Sequence, residues 1–313
     1  MLSILRKAKR SLVWLTRLLA MWRSPNRRFL AYPPGHYYSP LPSVSELAKD
    51  ELRIFADPPS IEGMDLNLPS QWDWVVGSAD GLRNIAWPKE RDPDFRYWSN
   101  NVYFNSADVA ALLSVMQRAC PRRIVEVGSG FSSACMLDIN DRLFRSEIQF
   151  TFVEPYPERL RSLLRKGDSR NATVIESRLQ DTSLKVFTSL EANDILFVDS
   201  SHVAKIGSDV NHLFFEILPR IQPGVFVHIH DVFWPFEYPK VWLEEGRAWN
   251  EQYMLRAFLQ GNSQFEIVLF GSLLESLDRL RFERYWPMVG ERSAENLNIG
   301  SGSIWLRRKL LPA

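Results

Sequence analysis

The stretch Arg123–Asp138, RIVEVGSGFSSACMLD, decides the fold of this 313-residue chain. An apolar run, a Gly-x-Gly turn and small helix-forming residues predict a strand, a tight turn and a helix N-terminus. This arrangement is the usual cradle for a nucleotide-like ligand. Glu126, however, lies two residues before Gly128, where a pyrophosphate would meet a like charge. The carboxylate therefore argues against a phosphate ligand at this turn.

From residue 123 onward, apolar strands alternate with amphipathic helices, a pattern typical of a mostly parallel sheet with crossover helices. The segments predicted as strands are RIVEV, IQFTFVE, ATVIE, DILFVD, GVFVHIH, FEIVLF and SIWLRR. Helices are predicted between the first five strands, notably at PERLRSLLRKG and DVNHLFFEILPRI. The pattern predicts an α/β fold.

The residues before the sheet carry two further segments. Residues 1–30 contain bases but no acid, and their apolar residues recur at helical spacing, which predicts a basic amphipathic helix. This helix either attaches to a membrane surface through residues 1–28 or packs on its own domain or a partner. Residues 31–118 are predicted to be an ordered arm followed by a helical and irregular cap, with helices at SVSELAKDELRIF and SADVAALLSVMQRA. Residues 119–313 are predicted to form the ligand-binding domain.

The overall composition is that of an ordinary soluble globular protein, with 45% hydrophobic and 24% charged residues and a net charge of +1. Because the chain beyond its basic head is mildly acidic, nucleic-acid binding is not expected. Cys120 and Cys135 form no CxxC motif, which favours a reducing compartment. We therefore predict a cytoplasmic protein, peripheral to the inner face of the membrane if the N-terminal helix binds lipid.

Polar residues follow the predicted strands where each strand ends. Ligands of open α/β sheets bind beyond the carboxyl ends of the strands, so these residues are candidates for the site. Glu154, directly after the second strand, is predicted to accept both hydroxyls of a ribose. The alternative is an acid that only favours the dipole of the helix that follows. The strand-end candidates are Glu126, Gly128, Ser129, Gly130, Glu154, Asp199, His228, His230 and Asp231.

Five motifs in order, VEVGSGFSSA, FVEPYP, ESRLQD, ILFVDSSH and PGVFVHIHD, resemble those of class I S-adenosylmethionine-dependent methyltransferases. Within that class the chain resembles the bacterial branch related to macrocin O-methyltransferases and to enzymes of glycan assembly. The resemblance covers about residues 100–308. It implies a Rossmann-like sheet of seven strands whose last strand is antiparallel, and S-adenosylmethionine as the cofactor.

The resemblance also implies roles for particular residues. Gly128 and Gly130 would let the backbone approach the cofactor, and Asp181 of RLQD would lie beside the adenine. Glu126 suits a sulfonium and an ammonium, whereas it would repel a pyrophosphate. Ser132 stands where the family commonly has a third glycine. The predicted cofactor-binding residues are Glu126, Gly128, Ser129, Gly130, Glu154, Asp181 and Asp199.

The predicted reaction is methyl transfer to a hydroxyl oxygen of a saccharide or another small hydroxylated acceptor. A hydroxyl acceptor must lose its proton as the methyl group moves, so a base is expected within hydrogen-bond reach. His202 is the first candidate and His230 the second, with Asp199 at the same strand end. Each histidine has the alternative role of satisfying neighbouring backbone groups.

A metal ion is a further expectation from the resemblance. Related O-methyltransferases hold a divalent ion with strand-end acids, and Asp199 and Asp231 stand at matching strand ends, where Mg²⁺ would find oxygen ligands. Val232 argues against the metal, because such enzymes often supply Asn or Asp at that position. The aromatic run VFWPFEYPKVW after Asp231 either walls an acceptor pocket or forms core or a contact between subunits of a homo-oligomer.

Two other functions stay open from the sequence. One is an oxidoreductase using NAD(P), although the missing third glycine and Glu126 count against it. The other is a non-catalytic binding protein that retains the fold, because a fold alone does not determine function.

Overall fold

The computed structural model describes residues 31–290 and 300–310. The basic helix predicted for residues 1–30 lies outside the described residues, so both of its interpretations stay predictions. No helix in the described ranges has the length and apolar character needed to cross a bilayer. The chain divides into two compact units, Met1–Phe55 and Ala56–Ala313. The boundaries predicted after residues 30 and 118 stay predictions.

The described part of the first unit contains two short helices, α1 (Val44–Lys49) and α2 (Glu51–Ile54). The Ser43 hydroxyl begins α1 by accepting a hydrogen bond from the Glu46 N–H at 3.4 Å. Before them, the rings of Tyr32, His36, Tyr37 and Tyr38 lie against one another. The helix predicted at SVSELAKDELRIF is therefore present in two pieces.

The second unit is built on one sheet. Its strands are β1 (Arg123–Val127), β2 (Gln149–Val153), β3 (Ala172–Ile175), β4 (Ile195–Val198), β5 (Phe226–His230), β6 (Phe265–Phe270) and β7 (Ser303–Arg308). Its α-helices are α3 (Leu68–Ser78), α4 (Ser106–Ala119), α5 (Phe131–Leu143), α6 (Glu158–Leu163), α7 (Leu184–Thr188), α8 (Asp209–His212), α9 (Lys240–Glu244), α10 (Glu251–Leu259) and α11 (Gly271–Tyr285). Helix α11 is interrupted at Asp278, whose backbone is not helical.

The sheet has seven strands in the order β3-β2-β1-β4-β5-β7-β6. Strands β1 to β5 pair in parallel, and β7 runs antiparallel to both β5 and β6. The predicted α/β fold is thus confirmed, including the antiparallel last strand. The strand order reverses between β1 and β4, and ligands of open α/β sheets bind at such a switch point.

Side chains of the central strands alternate between the two faces of the sheet, as the strand period of two requires. Ile124 of β1 and Phe197 of β4 pack in the core on one face. Val125 and Val127 of β1 and Leu196 of β4 pack in the core on the other. Helices cover both faces, which explains why these strands read as continuous apolar runs.

One predicted helix differs from the structure. The segment DVNHLFFEILPRI begins as α8 but continues as a π-helical turn at Leu213–Ile217 and a 3₁₀ turn at Leu218–Arg220. Pro219 explains part of this difference, because proline has no N–H to donate within an α-helix. The segment still covers the sheet, since Leu213 and Ile217 are fully buried.

A buried arginine ties the segment before α4 to the rest of the second unit. The Arg96 guanidinium donates hydrogen bonds to Asp138 and Asp141 of α5 at 2.8 Å and to Asp168 at 2.5–2.9 Å. Its backbone N–H and that of Tyr97 also donate to Asp138. The cap is thereby held against α5, the helix that follows the glycine turn.

Replacing Arg96 by Met should lower the free energy of unfolding by about 3–5 kcal/mol, because it leaves buried carboxylates without their cation. Urea unfolding followed by circular dichroism measures this change. Arg122→Met is the matched control, since Arg122 pairs with Glu191 on the surface and its side chain is 78% exposed. The control should cost about 1 kcal/mol or less. Equal losses in the two variants would show that the buried cluster has no special role.

Candidate active site

A cavity of about 760 Å³ opens at the carboxyl ends of the central strands. It brings together most of the predicted site residues. Those that line it are Gly128, Ser129, Gly130, Glu154, Asp199, His202, His230 and Asp231. Glu126 and Asp181 are not among the residues that line it.

The turn after β1 requires glycine at residue 128. Gly128 has a φ of +76°, and a Cβ atom there would lie 1.8 Å from the carbonyl oxygen of Asp199. The Asp199 N–H donates to the carbonyl of Val127 at 2.8 Å, which holds the ends of β1 and β4 together. The adjacent Ser129 hydroxyl is buried and finds no hydrogen-bond partner among the described residues. A polar ligand in the cavity would satisfy it.

Glu154 faces the same turn from the end of β2. Its carboxylate accepts the Ser129 N–H at 3.0 Å and the Tyr156 N–H at 2.8 Å. These two bonds orient the side chain, and each carboxylate oxygen keeps further acceptor capacity toward the cavity. The predicted role of this half-buried carboxylate as the acceptor for both ribose hydroxyls stays a prediction.

Glu126 lies beneath the turn and is fully buried. Its carboxylate accepts a hydrogen bond from Ser132 at 2.5 Å and another from Ser133, both in the first turn of α5. Burial raises the pKa of Glu126 to about 8, although both serine hydroxyls oppose this shift. Ser132 thus stands where a third glycine was expected because its hydroxyl bonds the buried carboxyl group. The predicted cofactor contact of Glu126 stays a prediction.

Asp181 also lies apart from the cavity-lining residues. It is exposed and accepts a hydrogen bond from the Arg178 guanidinium at 2.6 Å. Its predicted position beside an adenine stays a prediction.

His202 is held by three carboxylates. Its Nε2 lies 3.2 Å from Asp199 Oδ1 and 3.4 Å from Asp231 Oδ2, and its Nδ1 lies 2.9 Å from Glu251 Oε2. Burial lowers the pKa of His202, but the hydrogen bonds to Asp199 and Glu251 outweigh burial and raise it well above its usual value. His202 and Asp231 have φ of +58° and +56°, which is uncommon for residues other than glycine.

His228 and His230 form a second buried pair, with His228 Nε2 lying 3.2 Å from His230 Nδ1. Burial lowers the pKa of His228 well below its usual value, so this ring is neutral. His228 Nδ1 is buried and has no hydrogen-bond partner among the described residues. Leaving a lone pair unpaired there costs less free energy than leaving an N–H unpaired, so Nδ1 is the nitrogen without a proton. We assign the proton to His228 Nε2, which donates to His230. Because His230 Nδ1 accepts this hydrogen bond, the proton of His230 lies on Nε2, which is 3.8 Å from Asp231 Oδ1. Neither nitrogen of His230 is then free to act as a base, which argues against His230 as the second candidate.

Aromatic residues from the segment after β5 form the wall opposite the glycine turn. Phe233 and Trp242 line the cavity with ring centroids 5.1 Å apart, and the Trp249 ring lies 4.4 Å from that of His202. Arg247 lies over Trp242 and pairs with Glu245 at 2.9 Å. The run VFWPFEYPKVW therefore contributes to the wall of the cavity, one of the two roles considered for it.

Arg159 is a candidate that the sequence reasoning missed, because it lies within the ordinary charge pattern of α6. Its guanidinium lies 3.9 Å from the centre of the Tyr103 ring, and both residues line the cavity. Its Cδ passes close to Gly130, 3.2 Å from where a Cβ would lie. Among the described residues no carboxylate pairs with it. Glu251 was missed as well, since only the fold brings it to His202.

Comparison with known families gives a match to a methyltransferase domain over residues 125–232. An uncharacterised protein from Archaeoglobus fulgidus is 36% identical over 170 residues, which cover 52% of this chain and 76% of that protein. The domain match includes the glycine turn, and neither match names an acceptor.

Solved structures that align with the chain include methyltransferases. The S-adenosylhomocysteine-bound methyltransferase PaMTH1 of Podospora anserina aligns with a TM-score of 0.41 and 14% identity, covering 86% of this chain and 98% of that chain. A precorrin-6y C5,15-methyltransferase from Geobacter metallireducens aligns with a TM-score of 0.39 and 13% identity, covering 72% and 100%. These scores and identities are low, so the family assignment rests on the sequence matches.

Replacing Glu126 by Gln should flatten the dependence of stability on pH. The folded-state pKa of about 8 lies above the ordinary value of 4.5, so the stability from the protonated group is complete below pH 4.5 and is lost as pH rises toward 8. The wild-type free energy of unfolding should fall by up to about 1.4 kcal/mol per pH unit from this group, and the variant should lack that component. Urea titrations between pH 5 and 8.5 test this. The exposed Glu147→Gln variant should follow the wild type; a Glu126→Gln curve parallel to both would contradict the assignment.

Proposed function

The chain belongs to the methyltransferase-domain family, and we propose that it transfers a methyl group from S-adenosylmethionine to a hydroxyl oxygen of a saccharide or another small hydroxylated acceptor. One observation carries the proposal: the glycine turn and Glu154 open into the same cavity as Asp199, His202 and Asp231. Groups suited to a nucleoside and groups suited to activating a hydroxyl therefore face one space.

Residues around the turn offer partners for both ends of the cofactor, the nucleoside and the methionine. Glu154 would accept the ribose hydroxyls, and the buried Ser129 hydroxyl would gain the hydrogen-bond partner that it lacks among the described residues. Arg159, beside Gly130 and without a carboxylate partner among the described residues, would bind the carboxylate of the methionine end. S-adenosylmethionine supplies an electrophilic methyl group when bound. The protein supplies the orientation of that group toward the acceptor.

On the acceptor side, His202 is the proposed base. Glu251 accepts from Nδ1, so Nε2, which lies between Asp199 and Asp231, is the nitrogen that takes up the proton. Because its carboxylate neighbours raise the pKa of His202, the neutral ring that acts as the base forms only at a pH above the usual histidine pKa. Positioned general bases contribute about 100- to 10,000-fold to rates. The Trp242 and Trp249 rings line the same cavity and suit the apolar face of a sugar or another ring.

The expected divalent cation remains part of the proposal. Asp199 and Asp231 would hold it, and the ion would lower the pKa of the acceptor hydroxyl when bound. One carboxylate oxygen of Asp199 lies within 4.8 Å of one of Asp231, which is close enough for both to bind the same ion.

Calorimetry tests cofactor binding. S-adenosylhomocysteine should bind far more tightly than NAD. A second comparison uses 5′-methylthioadenosine, which has the same nucleoside as S-adenosylhomocysteine but lacks its amino-acid end. Glu154→Ala should weaken both S-adenosylhomocysteine and 5′-methylthioadenosine by about 1.5–3 kcal/mol, because both carry the ribose. Arg159→Gln should weaken only S-adenosylhomocysteine, since 5′-methylthioadenosine lacks the carboxylate. Glu158→Ala, an exposed acid on the same helix, is the control. Tighter binding of NAD would overturn the methyltransferase proposal, and equal losses for both ligands would overturn the role of Arg159.

Methyl transfer is tested by screening hydroxylated acceptors with methyl-labelled S-adenosylmethionine. His202→Gln should lower kcat by about 100- to 10,000-fold and change the pH profile, while cofactor affinity stays near that of the wild type. His36→Gln, in the first unit, should behave as the wild type. A His202→Gln variant with the wild-type rate and profile would exclude His202 as the base. Cofactor binding with no transfer to any acceptor would favour the non-catalytic alternative.

A further inference from the structure

The loop at residues 98–104, just before α4, brings a tyrosine against an arginine of the cavity wall. The centre of the Tyr103 ring lies 3.9 Å from the Arg159 guanidinium, and both residues line the cavity. We propose that Tyr103 is a positioning residue, which holds Arg159 in the orientation that binds the carboxylate of the methionine end of S-adenosylmethionine. This inference rests on the proposed function, in which Arg159 binds that carboxylate.

The Asn101 side chain fixes the shape of this loop. Its Oδ1 accepts hydrogen bonds from the N–H groups of Tyr103 at 3.0 Å and Phe104 at 2.8 Å. Its Nδ2 donates to the carbonyl groups of Trp98 at 2.6 Å and Phe104 at 3.1 Å. The Tyr97 hydroxyl also donates to the Phe104 carbonyl, at 2.8 Å. These bonds keep the backbone of Tyr103 in place, although the residue is 52% exposed.

Phe131, the first residue of α5, fixes the Tyr103 ring. The two rings are stacked, with centroids 5.6 Å apart and an angle of 15° between their planes. On the same loop, the Trp98 ring packs nearly perpendicular to the Phe131 ring, with centroids 4.8 Å apart. Because Phe131 directly follows Gly130, these contacts tie the loop to the glycine turn.

Arg159 gains from such support because its side chain is long. An unrestrained arginine loses much rotamer entropy when it binds an anion, and a side chain that is already held in the bound orientation loses less. A guanidinium over the face of a tyrosine ring is attracted by that face and keeps its N–H donors at its own edge. The Arg159 side chain also passes close to the turn, with its Cδ 3.2 Å from where a Cβ of Gly130 would lie. The ring therefore restricts Arg159 and leaves its donors available to a carboxylate.

The test compares the affinities of S-adenosylhomocysteine and 5′-methylthioadenosine, measured by calorimetry. Tyr103→Ala should weaken S-adenosylhomocysteine about 3- to 30-fold, the range of a cation–π contact, and leave 5′-methylthioadenosine unchanged. Tyr103→Phe keeps the ring face and should bind both ligands as the wild type does. In the Arg159→Gln background, Tyr103→Ala should cause no further loss, because Tyr103 acts through Arg159. Tyr253→Ala is the control, since Tyr253 is 41% exposed and does not line the cavity.

Three results would overturn the inference. Equal losses for the two ligands in Tyr103→Ala would show that Tyr103 only supports the site as a whole. A Tyr103→Phe variant as weak as Tyr103→Ala would show that the ring face is not what holds Arg159. An additive loss in the double variant would show that Tyr103 acts independently of Arg159.

The wild-type chain separates this inference from the proposed function. If it binds S-adenosylhomocysteine and Tyr103→Ala binds that ligand equally well, only the role of Tyr103 fails. If the wild type does not bind S-adenosylhomocysteine, the proposed function fails and the inference fails with it. The wild-type measurement does not depend on the folding of a variant, and retained 5′-methylthioadenosine binding shows that Tyr103→Ala is folded.

Discussion

The close approach of Gly128 to Asp199 is the constraint on which the site depends. The space between this turn and the end of β4 excludes even a methyl group, because a Cβ at residue 128 would meet the Asp199 carbonyl. Two strand ends are thus held in contact where the strand order reverses. The end of β5, which carries Asp231, pairs alongside β4. Turn residues and acids that are about 70–100 positions apart in sequence therefore share one cavity.

Buried polar groups in this protein divide into those that build the site and those that face the ligand. Glu126 and Arg96 are enclosed and fully engaged by neighbours, and each ties α5 to another element. Ser129, by contrast, lines the cavity with a buried hydroxyl that has no hydrogen-bond partner among the described residues. Burying a polar group without a partner is costly, so unused capacity on a cavity wall indicates a ligand more strongly than a satisfied buried charge does.

Much of the fold and the family was predictable from the sequence. Every segment predicted as a strand is a strand, and the α/β class with its antiparallel last strand is confirmed. The predicted methyltransferase family is confirmed by the match of residues 125–232 to a methyltransferase domain. Apolar periodicity and strand-end motifs are local, so one sequence suffices to read them. The helix at 209–221 was less predictable, because its π and 3₁₀ turns depend on packing around Pro219.

The sequence by itself determined which residue types lie at the ends of the strands, since strand boundaries and glycine turns depend on nearby residues. Only the tertiary structure decided where those side chains point and what they meet. The Glu126 carboxyl group hydrogen-bonds to the hydroxyls of α5 and does not line the cavity. Glu251, about 50 residues beyond His202 in sequence, is the hydrogen-bond partner of that histidine. A carboxylate minimises its free energy by finding donors in three dimensions, and the nearest donors need not be near in sequence. For this reason the motifs predicted which residues lie at the strand ends, but they did not predict the hydrogen-bond partners of each side chain.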